Sequence, residues 1–79
     1  MATQMNKINQ ANLRAVGEAL YGERWQSSLS RDLDVAVRTV QRWDAGDRGI
    51  PAALTVELQQ LLKQRRIDID NLLHSLSHE

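Results

Sequence analysis

The stretch from Gln26 to Trp43, QSSLSRDLDVAVRTVQRW, limits this chain more than any other. Its apolar residues are Leu29, Leu33, Val35, Val37, Val40 and Trp43. Leu29 and Leu33 stand four apart and share one face of a short helix; Val40 and Trp43 stand three apart and share a face of a second. Only Asp34, Val35 and Ala36 separate the two faces, which leaves room for a tight turn and nothing more. Helices joined so closely cross steeply, with Val35 in the corner. On the second helix Arg38, Gln41, Arg42 and Ala45 face away from Val40. Arginine and glutamine make bidentate hydrogen bonds to base edges in a major groove, so this outward face carries the chemistry for reading DNA. Taken alone, the same pair also fits a solvated helical hairpin.

The residues beyond Trp43 discriminate between the two. They run into AGDRGIP, with Gly46, Arg48 and Pro51. A first helix ending in leucine, a short turn, TVQRW, then glycine and proline together resemble the lambda repressor and Cro family of helix-turn-helix regulators. The likeness is strongest to short bacterial and phage regulators with GERWQ before the motif and TVxRW within it, and it covers Asn9 to Leu62. It implies an all-α, lambda repressor-like domain of four to five helices with an amphipathic C-terminal helical extension. It also implies duplex DNA as the partner, with Arg38, Gln41 and Arg42 reading base edges. Gln26, Ser28, Thr39 and Arg48 would grip the backbone, Gln26 by opening a helix whose N-terminus suits a phosphate. Two positions depart from the family. Asp34 stands where a left-handed glycine is usual, at a cost of about 1 kcal/mol. Ser30 stands where alanine is favoured, and it is small enough to keep the helices close.

At 79 residues the chain supports one domain with a modest core, and with no Phe that core must be mostly leucine and valine. The absence of cysteine excludes disulfides and thiolate-bound zinc and favours a cytoplasmic setting. No apolar run is long enough to span a membrane, and no signal peptide follows Met1. Ten basic residues balance ten acidic ones, which argues against strong nonspecific attraction to nucleic acid. Five of the eight arginines, Arg24, Arg31, Arg38, Arg42 and Arg48, nevertheless fall in or beside the motif, although Asp32, Asp34, Asp44 and Asp47 in the same region keep the local net gain small.

Along the chain, residues 1–8 read as a flexible N-terminus, 9–66 as the DNA-binding domain and 67–79 as a helical extension. Asn9 is placed to cap a first helix, with Ile8 and Leu13 spaced as a hydrophobic staple. Leu13, Val16 and Leu20 form its buried stripe, and Gly17 within it implies close approach by a neighbouring helix. Gly22 ends that helix. Gly46 ends the motif's second helix, and Pro51 fits the first position of the next. From Pro51 onward there is no glycine or proline, and Leu54, Leu58, Leu61, Leu62, Ile69, Leu72, Leu73 and Leu76 keep helical spacing. This stretch is either one long helix or a helix broken between Ile67 and Asp70. The stripe Ile69, Leu72, Leu73 and Leu76 is a candidate homodimer interface, or it folds back on its own domain.

Enzyme chemistry has no footing here: there is no cysteine nucleophile, no glycine-rich phosphate loop and no histidine arranged near the serines. His74 and His78, four apart, lack the further ligands zinc requires, so no metal or cofactor is expected. The expected function is sequence-specific binding of double-stranded DNA by a homodimeric transcriptional regulator, a repressor of phage or mobile-element type. The alternative is a protein-interaction module on the same fold, such as an antitoxin or a phage regulatory partner.

Overall fold

The computed structural model describes residues 8–77, and among them it is all-helical with no strand. Three short helices, α1 (Gln10–Tyr21), α2 (Trp25–Leu33) and α3 (Val37–Ala45), precede one long helix, α4 (Leu54–Ser77); a single 3-10 turn, Gly22–Arg24, joins α1 to α2. The Asn9 side chain caps α1 by accepting the Asn12 amide at 2.8 Å. Ile8 and Leu13, on either side of that cap, are both buried in the core, as the staple spacing predicts. Ile8 therefore belongs to the packed body rather than to a flexible N-terminus, and the rest of that expected segment, residues 1–7, lies outside the described residues.

The buried stripe of α1 is Leu13, Gly17 and Leu20, with Val16 at its edge. A Cβ added at Gly17 would stand 2.2 Å from a ring carbon of Trp25, so the indole lies directly on the α1 backbone. That contact outweighs the roughly 1 kcal/mol that alanine would return in helix propensity. α2 begins at Trp25, one residue before Gln26, and it is the indole of that first residue that lies against Gly17.

Asp34 ends α2 in the left-handed conformation, φ 59° and ψ 47°. Its amide donates to the Arg31 carbonyl at 3.2 Å, and that of Val35 to the Ser30 carbonyl at 3.0 Å, satisfying carbonyls the helix end would otherwise leave open. Ser30 is buried at 7% exposure, its hydroxyl donating to the Ser27 carbonyl, so a small residue sits where the helices touch. Gly46 closes α3 with φ 83°. Pro51 does not open α4: its carbonyl accepts the Leu54 amide at 3.1 Å, and the intervening turn delivers Leu54 into the core. The long helix shows no break between Ile67 and Asp70. Gln64 instead donates to the Asp68 carboxylate at 3.1 Å, an i to i+4 contact that supports helix across that point.

The core gathers Ile8, Leu13, Trp25, Leu29, Val40, Trp43, Leu54 and Leu58, with α1 packed against the other three helices. Leu62, at 36% exposure, lies on the rim. At the end of α1 a polar clasp takes over. The Tyr21 hydroxyl donates to Asp32 at 2.6 Å, while the Arg65 guanidinium lies 5.7 Å from the Tyr21 ring centroid and donates to the Leu20 carbonyl. Beyond Arg65 every described residue of α4 is exposed.

This clasp predicts a titration. Burial, then the hydrogen bond and negative charge of Asp32, push the Tyr21 pKa up to about 12 against a lowering by Arg65. The fold thus holds the neutral phenol, a contribution complete below the ordinary value of 10.0 and lost as pH rises towards about 12. Tyr21 is the only tyrosine, so ultraviolet absorbance reads it alone. Asp32→Asn should bring the midpoint down; a parent midpoint at the ordinary value would mean that Asp32 does not hold the phenol.

Candidate nucleic-acid interface

α3 has nine residues, too short to persist as an isolated helix, so its packing decides both its existence and its orientation. Val40 and Trp43 are 0% and 4% exposed, and they turn one face of α3 into the core. The same rotation leaves Arg38, Gln41 and Arg42 exposed together on the opposite side, as their spacing predicts. Arg48 is exposed in the loop that follows α3. Thr39, at the start of α3, is half-buried, with its amide donating to the Ala36 carbonyl at 2.9 Å. Gln26 and Ser28, in the first turn of α2, are half-buried as well. The outward side of α3 therefore presents two guanidinium forks and a carboxamide, all planar groups suited to bidentate hydrogen bonding.

Gln26 is not a simple surface glutamine. Its side-chain nitrogen donates to Oδ2 of Asp44 at 2.7 Å, which commits one of its two amide hydrogens. Asp44 is the centre of a polar network. Arg14 of α1 donates to its Oδ1 through Nε at 3.2 Å and through a terminal nitrogen at 3.0 Å. Gln10 of α1 donates to its backbone carbonyl at 3.0 Å. One residue of α3 thus binds side chains from both preceding helices, adjacent to the indole that anchors α3 in the core. No sequence signal exposed this: Arg14 and Asp44 are 30 residues apart, and neither spacing nor periodicity couples them.

The network changes the electrostatics of the surface. Among the described residues the ion pair formed is Arg14 with Asp44, and Asp32 accepts from Tyr21. Arg38, Arg42 and Arg48 make no ion pair among the described residues, so their charge is available to an anionic partner. Zero net charge is therefore compatible with a locally basic outward face.

The stripe Ile69, Leu72, Leu73 and Leu76 is 48%, 64%, 60% and 78% exposed; it does not fold back on its own domain. Arg65 already closes the core at the end of α1, leaving that stretch nothing to pack on. Of the two histidines, His74 lies on α4 and His78 lies outside the described residues. Among the described residues no cluster of three potential metal ligands occurs, and no helix is long and apolar enough to cross a membrane.

The geometry separates anchoring residues from outward-facing ones by their effect on stability. Trp43→Ala should cost about 3–5 kcal/mol and nearly abolish cooperative unfolding in a domain of this size. Alanine at Arg38, Gln41 and Arg42 should each change stability by within about 0.5 kcal/mol. Thermal denaturation followed by circular dichroism measures both, and a Trp43→Ala protein melting close to the parent would refute this rotation of α3.

Comparison with known proteins assigns the chain to no family: no family model matches it, and no curated protein or solved structure matches it significantly.

Proposed function

We propose that this chain is a sequence-specific double-stranded DNA-binding regulator of the lambda repressor and Cro type, acting as a homodimer and repressing transcription. The observation that carries this reading is the face of α3. Its buried side is fixed by Val40 and Trp43, and its exposed side presents Arg38, Gln41 and Arg42 together. In this reading α3 lies in the major groove and those three side chains read base edges. Gln26, Ser28, Thr39 and Arg48 hold phosphates, with Asp44 restraining the Gln26 carboxamide at the N-terminus of α2.

A second reading keeps the fold and replaces DNA with a protein partner, as in an antitoxin or a phage regulatory partner. Zero net charge and the exposed apolar end of α4 favour it. Salt separates the two, because release of counterions from phosphates makes DNA affinity fall steeply with added salt. Selection of bound duplexes from a random pool is the decisive experiment. Enrichment of an inverted repeat supports the regulator; recovery of no preferred sequence refutes it.

On a selected site Arg42→Ala should cost about 1–3 kcal/mol and relax preference at one base pair. Arg48→Ala should weaken every sequence alike and flatten the salt slope. Equal losses on all sequences for both variants would mean that α3 holds backbone only. Dimerisation matters because a specific site needs two reading helices roughly 34–36 Å apart, one turn of DNA. Replacing Leu72 and Leu73 together with Glu should give a helical monomer whose site affinity is lower by orders of magnitude. Sedimentation and circular dichroism decide it: a variant that remains dimeric places the interface elsewhere.

A further inference from the structure

Resting on the dimeric reading above, we infer that two copies pair antiparallel through α4 about a two-fold axis level with Ile67. The Leu72, Leu73 and Leu76 end of each α4 then covers the cleft between α1 and α4 of the other. The inward face of α4 is Leu54, Leu58, Leu61 and Arg65. At helical spacing the same face continues through Ile69, Leu72 and Leu76, but α1 ends at Tyr21 and offers it no surface. The twelve residues from Arg66 to Ser77 extend about 18 Å past the clasp at 1.5 Å per residue.

A second copy fits because α4 is self-complementary. An isologous interface requires one patch to match itself after a half-turn. About Ile67 the exposed Leu62 mirrors Leu72, and Leu58, buried in the wall of the cleft between α1 and α4, mirrors Leu76. Charge changes sign at the same point, with Lys63, Arg65 and Arg66 before it and Asp68 and Asp70 after it. Antiparallel pairing sets the basic turn of one helix level with the acidic turn of the other. Parallel pairing in register would set Arg65 beside Arg65 and Asp68 beside Asp68, at a cost in repulsion. The exposed apolar positions Leu62, Ile69, Leu72 and Leu76 are separated by seven, three and four residues, the spacing of a two-helix seam.

The receiving surface is present. A cleft of about 210 Å³ opens between α1 and α4, with Ile8, Val16, Leu58 and Leu62 among its walls and Asn12 and Thr55 at its polar edge. Its α4 wall lies before Ile67 by the same number of residues as the leucine-rich end lies after it. In this register the other copy's Leu72 stands level with Leu62 and its Leu76 level with Leu58, so leucine side chains enter an apolar cleft.

The full chain contains no cysteine, so Leu62→Cys and Leu72→Cys each introduce a single thiol. Disulfides form only when Cα atoms come within about 7 Å, which makes oxidation a test of register. The parent should sediment as a dimer. Covalent dimer should form when the two variants are mixed and oxidised, with the 62–72 linkage identified by mass spectrometry, and neither variant alone should form it. The pair Gln59→Cys and Leu73→Cys, both exposed and on the same flank of that seam, repeats the test if either first variant loses its helical circular dichroism. A monomeric parent overturns both this arrangement and the dimeric reading. A dimeric parent whose Leu72→Cys variant crosslinks to itself overturns the antiparallel register and leaves the dimer standing. A dimeric parent in which neither mixture crosslinks overturns this register.

Discussion

The rotation of α3 about its own axis is the constraint on which the rest of the surface depends. A nine-residue helix has no independent stability, and two buried side chains, Val40 and Trp43, define its inward direction. Packing alone would tolerate small rotations, since an indole can slide within an apolar pocket. The Asp44 carboxylate, next in sequence to Trp43, accepts from Arg14 and Gln26 and thereby ties α3 to α1 and α2. Hydrogen bonds are directional where apolar contacts are not, so this network fixes the angle that burial only approximates. Arg38, Gln41 and Arg42 share an exposed face as a consequence.

A second structural theme is how a small chain brings its helices close. Leucine and valine fill most of the core, and the two tryptophans are the large residues that set its spacing. Trp25 occupies the space a side chain at Gly17 would need, and Ser30 gives α2 a small residue at its buried surface. The turn between α2 and α3 is short because Asp34 accepts a left-handed backbone there, at moderate cost for a residue with a short polar side chain. Every one of these devices reduces distance between helices, which is how a chain of this length buries enough apolar surface to fold.

α4 divides the molecule into a part that is satisfied and a part that is not. Up to Arg65 its inward face is covered by α1, and the guanidinium over Tyr21 closes that contact with charge rather than hydrocarbon. Past that point the helix continues without interruption, held by its own backbone bonds and by the Gln64 to Asp68 contact. Its exposed leucines form a continuous stripe rather than scattered single residues.

Much of this architecture was legible in the residues themselves. The 3.6-residue spacing of Leu29, Leu33, Val40 and Trp43 determined that two short helices flank a tight turn and which side of each is buried. The Asn9 cap, the terminal role of Gly46 and the close approach at Gly17 follow from local chemistry, because each depends on one residue's own hydrogen bonding or steric freedom. Tertiary structure alone decided what involves residues distant in sequence. The Arg14–Asp44–Gln26 network and the Tyr21–Arg65 clasp join groups that no local pattern relates, since a salt bridge has no sequence period. The continuity of α4 through Ile67, and the start of that helix at Leu54 rather than Pro51, were likewise beyond pattern reading. Asp68 and Asp70 fit equally well as a helix start or as helix interior, and Pro51 fits a turn as well as a first helical position. Packing chose between them by delivering Leu54 to the core and leaving the end of α4 with nothing to fold back on.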